Sequence, residues 1–505
     1  SDLSEESLTG HSKYRCGYIF HSGKRKSRRR GPFASRSRRE KIEGRAGRER
    51  NPIYGEVTME VCVIGVGYVG LVTAACFSYM GNTVSGVDDD GEKIKLLQQG
   101  KLPIYEPFLD QLVTQAIDQG RLRFTGDLEE GIGRCQVVFI CVGTPPLEHG
   151  DADLSSVESV TRRIGEVAEG RKLIVEKSTV PVQTGFWIEK TLRLYGRGEM
   201  DRFDVASNPE FLREGSAVED FFHPDRIVVG VEKPEAEQLL RSLYDPVIRG
   251  AFQCPVHGAC PRRGEVPFVV TDMVSAELIK HASNSFLAMK ISYINLIADL
   301  CEKVGADVSM VAEGMGLDRR IGRAFLDAGI GFGGFCFPKD LQAFVRIGEI
   351  HGCDLGLLRE VERINKERID VVHRKLQDHL WNIRGKMIAV LGLAFKPNTD
   401  DIRFAPSLEV IQRLLKEGAR VRTYDPKAMP KARKVLESVE FCGDPYEALE
   451  GADAAVIVTE WEEFKRLDLG RVKQHMRRPL IIDGRNIFDR KLMESLGIEY
   501  RGIGH

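Results

Sequence analysis

The chain has 505 residues, 42% of them hydrophobic and 29% charged, with a formal net charge of −1. These values are typical of globular proteins and exclude disordered and fibrous classes, and the length allows about three domains. No apolar run approaches the roughly 18 residues of a membrane span, and the polar opening residues predict no secretory signal. The eleven cysteines, several in strand-like runs, predict reduced thiols in the cytoplasm.

The charge is divided along the chain. Residues 1–58 contain 15 Lys and Arg against 7 Asp and Glu, a net charge of +8, whereas the remainder carries −9. The basic segment has no helical or strand period, which predicts a disordered extension. Because Met59 lies next to a predicted strand, we interpret the extension as separate from the functional body. A nucleic-acid-binding arm is the alternative, although the acidic body disfavours general nucleic-acid binding.

Short apolar runs alternate with helical segments in two parts of the chain, which predicts two parallel sheets. The strands expected in the first part are 61–64, 83–87, 136–141, 173–176 and 204–206. Those expected in the second part are 387–391, 421–424, 454–459 and 480–483. Between them, residues 272–304 have apolar positions every three or four residues and no Pro or Gly, which predicts one helix of about 30 residues.

The predicted fold is therefore α/β, with two Rossmann-like, doubly wound parallel-sheet domains joined by a long central helix. We expect three domains, at 59–267, 268–380 and 381–505, of which the middle one is helical and suited to dimerisation. A helix of this length bridges domains or forms the core of a homodimer.

A glycine-rich turn follows the first predicted strand. Gly65, Gly67 and Gly70 have the G-x-G-x-x-G spacing, and Asp88 ends the next strand. The first glycine permits the tight turn, the second the approach of a pyrophosphate, and the third close packing of helix on strand. Asp88 would accept hydrogen bonds from a ribose and repel a 2′-phosphate, which predicts NAD rather than NADP. A purely structural glycine turn is the alternative.

A second glycine-rich stretch, residues 331–340, contains Cys336 two residues before Pro338. A thiol at a helix start experiences the positive end of the helix, which predicts a lowered pKa and a thiolate. A lone cysteine is otherwise a small buried hydrophobe. The glycines, Lys339 and Asp340 favour the catalytic interpretation.

Several motifs together carry a family resemblance. They are GVGYVG with Asp88, EKSTVP at 176–181, NPEFLREG at 208–215, Lys280-x-x-x-Asn284, GFGGFCFPKD at 331–340, and GLAFK at 392–396 with Asp401-x-Arg403. In these motifs and their order, residues 59–505 resemble the UDP-glucose/GDP-mannose dehydrogenase family. PIYEP at 103–107 and HPDRI at 223–227 add a narrower likeness to bacterial members that oxidise UDP-glucose.

The resemblance implies oxidation of a sugar-nucleotide C6 alcohol to a carboxylate with two NAD per turnover, through a thiohemiacetal and a thioester on a cysteine. The implied catalytic residues are Cys336, Lys280, Asn284, Glu210, Asp340 and Thr179. Lys280 and Asn284 share one helix face and would donate to an oxyanion. Glu210 would act as base or acid in hydrolysis, with Asp340 and Thr179 orienting water. The alternative for Lys280 and Asn284 is a solvated helix face. The alternative for Glu210 is a carboxylate at a helix N-terminus, after Pro209.

The resemblance also implies binding residues. The expected NAD contacts are Gly65, Gly67, Tyr68, Val69, Gly70, Asp88, Lys93, Thr144, Glu214 and Arg403. The expected UDP-sugar contacts are Phe211, Leu212, Arg213, Arg320, Phe325, Gly331, Gly333, Phe395, Lys396 and Arg485. The second α/β unit lacks a G-x-G-x-x-G turn, so we expect it to hold the UDP-sugar and not NAD.

Two features depart from the family pattern. Phe335 replaces a small residue before the nucleophile and is expected to narrow the site. Residues 249–267 form a longer loop that contains Cys254-x-x-His257-x-x-Cys260. A structural zinc site needs four ligands, and no fourth ligand is adjacent, so we expect a solvent-exposed insertion and no metal.

UDP-glucose is the expected substrate. The same chemistry on GDP-mannose or a UDP-N-acetylhexosamine is the near alternative. A non-catalytic nucleotide-sugar sensor with a nucleic-acid-binding arm is the distant one, which the set of catalytic residues disfavours. We expect a second copy of the chain as a partner and no membrane association.

Overall fold

The computed structural model describes residues 58–147, 150–196, 202–258, 260 and 264–505. The predicted basic extension lies outside the described residues except for Thr58. Of the helices in the described part, none has both the length and the apolar character needed to cross a lipid bilayer.

The first domain is built on an eight-stranded sheet. Its strands are β1 (Glu60–Ile64), β2 (Thr83–Val87), β3 (Leu122–Thr125), β4 (Val137–Ile140), β5 (Lys172–Glu176), β6 (Phe203–Ser207), β7 (Ile227–Val231) and β8 (Phe268–Thr271). Its helices are α1 (Tyr68–Tyr79), α2 (Gly91–Gln98), α3 (Leu109–Asp118), α4 (Leu128–Ile132), α5 (Ser155–Val167), α6 (Thr184–Tyr195), α7 (Ala217–Phe222) and α8 (Pro234–Arg249). The strand order is β3-β2-β1-β4-β5-β6-β7-β8, parallel except for the antiparallel pair β6–β7.

Both faces of this sheet are covered. Val61 and Val63 of β1 pack into one apolar core with α1, whereas Cys62 and Ile64 pack into a second core with α5 and α6. A strand buried on both faces has a continuous apolar run. That is why the first strand could be predicted from the sequence.

Four helices connect the two sheets: α9 (Met273–Val304), α10 (Val308–Gly316), α11 (Cys336–Ile350) and α12 (Gly356–Leu380). The α9 helix has 32 residues and begins at Asp272, whose carboxylate accepts the Ser275 amide at 2.8 Å. It ends at Gly305, which has a positive φ of 74° as helix-terminating glycines commonly do. The fully buried Arg368 of α12 donates to Asp299 of α9 at 2.7 and 2.8 Å, which joins the two long helices.

The second domain has a six-stranded, all-parallel sheet. Its strands are β9 (Met387–Leu391), β10 (Arg420–Tyr424), β11 (Val439–Phe441), β12 (Ala454–Ile457), β13 (Leu480–Asp483) and β14 (Glu499–Arg501). Its helices are α13 (Pro406–Lys416), α14 (Met429–Ala432), α15 (Pro445–Leu449), α16 (Glu462–Lys465), α17 (Leu469–His475) and α18 (Arg490–Ser495).

The second sheet has the order β11-β10-β9-β12-β13-β14. In both sheets the first strand, β1 or β9, lies in the middle. The next strands are added on one side of it and the later strands on the other, so the strand order reverses there. Ligands of doubly wound folds bind at this reversal, outside the carboxyl ends of the strands. The predicted fold class is confirmed: two doubly wound α/β domains joined by a long helix.

Candidate active site

The glycine-rich turn between β1 and α1 has three glycines in three different environments. Gly65 has a φ of +87°, and a Cβ there would lie 2.7 Å from the Cys141 carbonyl oxygen. A Cβ on Gly70 would lie 1.8 Å from the Gly65 carbonyl oxygen, whereas one on Gly67 would meet nothing within 4 Å. The turn is therefore tight at its first and third glycines and open at the second. No side chain caps the start of α1, so its amide groups are available to an anion.

Asp88 lies at the end of β2, beside this turn. Its carboxylate accepts the Val66 amide at 2.9 Å and the Lys93 ammonium at 2.8 Å. Two residues expected at the dinucleotide site, Asp88 and Lys93, thus contact each other directly. A carboxylate in this position can also accept a ribose hydroxyl.

Arg403 of the second domain reaches towards the first. It forms hydrogen bonds with both carboxylate oxygens of Asp401, at 2.6 to 3.0 Å, and donates to Glu214 at 3.2 Å. Burial and the neighbouring Asp401 carboxylate raise the pKa of Glu214. Arg403 and Glu214, both expected to contact the cofactor, form one cluster that connects the two domains.

Thr144 and Thr179 lie on adjacent loops of the first domain. The Thr144 hydroxyl donates to the Thr179 carbonyl oxygen at 2.8 Å. This contact involves the backbone of Thr179, and neither residue lines the cleft described below. The water-orienting role expected of the Thr179 side chain stays a prediction.

A cleft of about 1450 Å³ lies between the two domains and the long helix. It exceeds the roughly 300–1,000 Å³ of an ordinary small-molecule site, so it has room for a large ligand. Its lining includes Cys336, Lys280, Asn284 and Glu210. Of the residues expected to bind the UDP-sugar, it includes Phe211, Leu212, Arg213, Phe325, Gly331, Gly333, Phe395, Lys396 and Arg485.

Arg320 is the expected substrate residue that this cleft does not include. Its guanidinium pairs with Asp318 at 2.6 Å, and its side chain is 88% exposed. Within one chain, its contact with the sugar nucleotide therefore stays a prediction.

Cys336 is the first residue of α11, with Phe335 at the N-cap position. The sequence placed this thiol just before the helix and predicted a lowered pKa. In the structure, burial and the Glu210 carboxylate raise the pKa of Cys336 to about 12, although the Lys280 ammonium opposes them. The positive potential at the start of the helix does not offset the cost of removing a thiolate from water. We therefore correct the prediction: the resting sulfur is a thiol.

Lys280 of α9 and Glu210 form a buried ion pair beside Cys336. The ammonium donates to the Glu210 carboxylate at 2.9 Å and to the Glu210 carbonyl oxygen at 2.5 Å. Burial acts to lower the pKa of Lys280, but the carboxylates of Glu210 and Asp340 outweigh it and raise this pKa. The lysine is therefore a permanent cation, as an oxyanion partner must be.

Asn284 lies one helical turn after Lys280, and its amide donates to Asp340 at 2.6 Å. Asp340 also pairs with the Lys339 ammonium at 2.7 Å. Burial opposes ionisation of Asp340, but the Lys339 and Lys280 ammonium groups hold its pKa below the ordinary value. The alternative of a solvated helix face for Lys280 and Asn284 is excluded, because both side chains are buried.

The glycine-rich loop before Cys336 is held by Arg485, an expected UDP-sugar contact, and by Asn365, which sequence reasoning missed. The Asn365 side chain of α12 accepts the Phe332 amide at 2.8 Å and donates to the Phe332 carbonyl oxygen at 3.0 Å. Arg485 donates to the Gly331 carbonyl oxygen at 3.0 Å. A Cβ on Gly333 would lie 2.3 Å from the Phe404 carbonyl oxygen. No motif marks Asn365, because it is one of many polar residues in a charged stretch of its helix.

Glu106 is a second residue without a predicted role. Its carboxylate accepts the amide of Gly215 at 2.6 Å, the amide of Ala217 at 2.7 Å, and the Tyr68 hydroxyl. Burial raises the pKa of Glu106 to about 7. It thereby fastens the Glu210–Glu214 loop to the dinucleotide turn. The PIYEP motif contained this residue, but the motif alone indicated no contact.

Phe335 was expected to narrow the site. Its ring lies 4.4 Å from the Arg403 guanidinium and 5.6 Å from the Lys339 ammonium. A phenyl ring attracts cations through its face. The ring therefore packs between two cations and also lines the cleft.

Three models of one family match the chain in order. They are the NAD binding domain, central domain and UDP binding domain of the UDP-glucose/GDP-mannose dehydrogenase family, at residues 59–248, 274–367 and 389–490. The chain belongs to the UDP-glucose/GDP-mannose dehydrogenase family. It is an NAD-dependent nucleotide-sugar dehydrogenase.

Individual relatives of this dehydrogenase agree with the family assignment. The UDP-glucose 6-dehydrogenase TuaD of Bacillus subtilis is 46% identical to it, over 88% of this chain and 93% of its own length. The UDP-glucose 6-dehydrogenase of Rhizobium meliloti is also 46% identical, over 88% of this chain and 99% of its own length. A UDP-glucose dehydrogenase structure from Pyrobaculum islandicum superposes with a TM-score of 0.80 at 39% identity, covering 91% of this chain and 100% of that one.

The dinucleotide turn of this dehydrogenase fits NAD. The open space at Gly67 and the uncapped start of α1 suit a pyrophosphate, and Asp88 suits a ribose diol. The pyrophosphate would be held by Gly65, Gly67, Tyr68, Val69 and Gly70. The adenosine ribose would be held by Asp88 with Lys93. NAD, when bound, accepts hydride from the substrate carbon.

The high pKa of Cys336 gives a testable pH dependence. In the ligand-free enzyme, iodoacetamide should modify Cys336 at a rate that rises from about pH 7 to about pH 10 without a plateau, because only the thiolate reacts. Glu210→Gln removes the repelling carboxylate, so this variant should react faster at each pH. Peptide mass spectrometry measures the rate, with the exposed Cys353 in the same digest as the control. A plateau with a midpoint below about pH 8 would show that the thiolate is the resting form.

Proposed function

We propose that the protein is a UDP-glucose 6-dehydrogenase that converts UDP-glucose to UDP-glucuronate with two NAD. One observation carries this proposal. Cys336 shares a buried cleft with a cation, an amide donor and a carboxylate, which are the groups that a covalent four-electron oxidation needs. The 46% identity to two UDP-glucose 6-dehydrogenases supports the choice of sugar.

The first oxidation produces an aldehyde at C6. The hydroxyl passes its proton through a water molecule to the Glu210 carboxylate, while hydride leaves C6 for the bound NAD. The negative charge that develops on oxygen lies near the Lys280 ammonium and the Asn284 amide. Both donors are already oriented by their buried carboxylate partners, so little reorganisation opposes the step.

The Cys336 thiol then adds to the aldehyde. Sulfur bonds to C6 while the sulfur-bound proton is transferred to the former carbonyl oxygen, so the thiohemiacetal forms without net loss of a proton. A pKa of about 12 for the free thiol is compatible with this addition. It also keeps the sulfur resistant to adventitious oxidation between turnovers.

The second oxidation and hydrolysis complete the reaction. The thiohemiacetal loses hydride from C6 and a proton from oxygen, which gives a thioester. Water then adds to the thioester, carbon–sulfur cleavage returns the proton to Cys336, and the carboxylate leaves. Glu210 is placed to accept the proton of this water, and Asp340 keeps the Asn284 amide aimed at the oxyanion.

We assign NAD to residues 59–267, the helical dimerisation region to 268–380 and the UDP moiety to 381–505. The equivalent turn of the second domain supports this division. There the amides of Leu393 and Ala394 are occupied by the Asp425 carboxylate, at 2.7 and 3.0 Å. The Leu393 contact corresponds to that of Val66 with Asp88 in the first turn. The Ala394 amide, at the position equivalent to Gly67, is additionally occupied, which disfavours an NAD pyrophosphate at this turn.

We also propose a homodimer formed through α9. One side of this helix carries four large apolar side chains that are between 46% and 66% exposed. They lie at helical spacing and are Tyr293, Leu296, Leu300 and Val304. Exposed apolar patches of this kind mark association surfaces. A second copy of α9 presents the same surface and would cover it symmetrically.

We place the protein in the cytoplasm. Cys336 is a free cysteine, and the proposed chemistry requires its thiol to stay reduced, which reducing compartments ensure.

A substrate panel tests the proposed reaction. UDP-glucose should yield two NADH per sugar, while GDP-mannose and UDP-N-acetylhexosamines should yield little. Cys336→Ala should lower carboxylate formation by a factor of roughly 10³ or more, and Cys353→Ala should leave it unchanged. Two observations would contradict the proposal: preferred turnover of another nucleotide sugar, or turnover of Cys336→Ala at the rate of the unmodified enzyme.

Light scattering after size exclusion tests the dimer. The wild type should elute with twice the chain mass, and Leu296→Glu with Leu300→Glu should give the monomer. Leu194→Glu changes a more exposed leucine on α6 and should leave the dimer intact. A monomeric wild type, or a double variant that stays dimeric, would rule out α9 as the interface.

A further inference from the structure

Four metal-binding side chains converge next to the cleft, outside the catalytic cluster. His223, Cys254, His257 and Cys260 each offer one ligand atom, and these four atoms lie within 4.8 Å of one another. We name them the Cys2His2 cluster. The sequence showed three of them in the 249–267 loop and no adjacent fourth. The missing ligand is His223, which precedes Cys254 by 31 residues and follows directly after α7.

The spacing of the ligand atoms is close to that of a tetrahedral zinc site. His223 Nε2 lies 3.2 Å from Cys254 Sγ and 3.5 Å from Cys260 Sγ, and His257 Nδ1 lies 3.5 Å from Cys254 Sγ. Bonds of about 2.3 Å to sulfur and about 2.0–2.1 Å to nitrogen require sulfur–nitrogen edges of about 3.6 Å. The two edges of 3.5 Å agree with this value, and the edge of 3.2 Å would have to lengthen by about 0.4 Å. The two ligand atoms that lie farthest apart are up to 4.8 Å from each other. They would have to approach by about 1 Å when zinc binds.

The surroundings orient the ligands. The Nε2 atom of His257 lies 3.4 Å from the Glu219 carboxylate, which leaves Nδ1 towards the cluster. A carboxylate that accepts the outer N–H of a histidine is the usual outer partner of a metal ligand. The His223 ring packs against Phe252, with centroids 5.7 Å apart, and Cys254 packs against the core of the first domain.

We propose that the Cys2His2 cluster binds one structural zinc ion. Two thiolates and two neutral imidazoles are the ligands that zinc prefers, and the thiolates balance its charge. Four protein ligands leave no open position for water or substrate, so the ion would have no part in the chemistry. It would instead fasten the 249–267 loop to the end of α7.

This position gives the ion a mechanical role in the active site. His223, His257 and Cys260 line the same cleft as Glu210 and Cys336. The α7 helix begins at Ala217, whose amide Glu106 holds, and it ends at His223. Zinc would therefore fix the far end of the helix that follows the Glu210–Glu214 loop.

Metal analysis of the full-length protein tests this proposal directly. Protein purified under reducing conditions, supplied with zinc and freed of excess should contain about one zinc ion per chain by plasma mass spectrometry. Cys254→Ser with Cys260→Ser should lose it, whereas Cys353→Ser, which changes an exposed cysteine, should keep it. Chelation should lower the thermal unfolding midpoint of the wild type more than that of the double variant.

A second measurement does not depend on the variants folding. Wild-type protein exchanged into cobalt should show the sulfur-to-metal charge-transfer and visible absorption bands of a tetrahedral Co(II) thiolate site, and added zinc should remove them. Reduced, zinc-supplied wild type with less than about 0.1 zinc per chain would overturn the proposal. A Cys254–Cys260 disulfide in protein kept reduced, or octahedral cobalt bands alone, would also overturn it.

Discussion

The buried contact between Lys280 and Glu210 is the interaction on which the active site depends. Lys280 belongs to the long helix α9, and Glu210 belongs to a loop of the first domain. Two hydrogen bonds from one ammonium group fix these elements relative to each other. Removing one partner of such a pair leaves an uncompensated buried charge, which costs roughly 3–5 kcal/mol. In the proposed mechanism both residues are therefore structural as well as catalytic.

The same contact explains the state of the nucleophile. Buried charges must be balanced locally, and Lys280 and Lys339 are balanced by Glu210 and Asp340. The Lys280 ammonium favours a thiolate, but burial and the Glu210 carboxylate outweigh it and raise the pKa of Cys336. Cys336 remains protonated until a substrate arrives. In this arrangement the cation acts on the substrate oxygen, where charge develops, rather than on the sulfur at rest.

Much of the architecture could be predicted because its signals are local. Strand β1 is buried on both faces, and α9 has an uninterrupted apolar period, so both are visible in the sequence. The convergence of Lys280, Asn284, Glu210 and Cys336 followed from family motifs. The protonated state of Cys336 could not be predicted, because desolvation depends on packing that no single segment encodes. His223 and Asn365 were missed for a similar reason: each acts across a distance in sequence, without a motif.

In the proposed mechanism the sugar becomes covalently attached to Cys336 as a thioester, which Glu210 helps to hydrolyse. The most direct measurement is acid quenching of Glu210→Gln with UDP-glucose and NAD, followed by peptide mass spectrometry. We expect the Cys336 peptide to carry the UDP-glucuronoyl group, and the double variant with Cys336→Ala to carry none. Release of two NADH per sugar with Cys336 unmodified throughout the time course would contradict the claim.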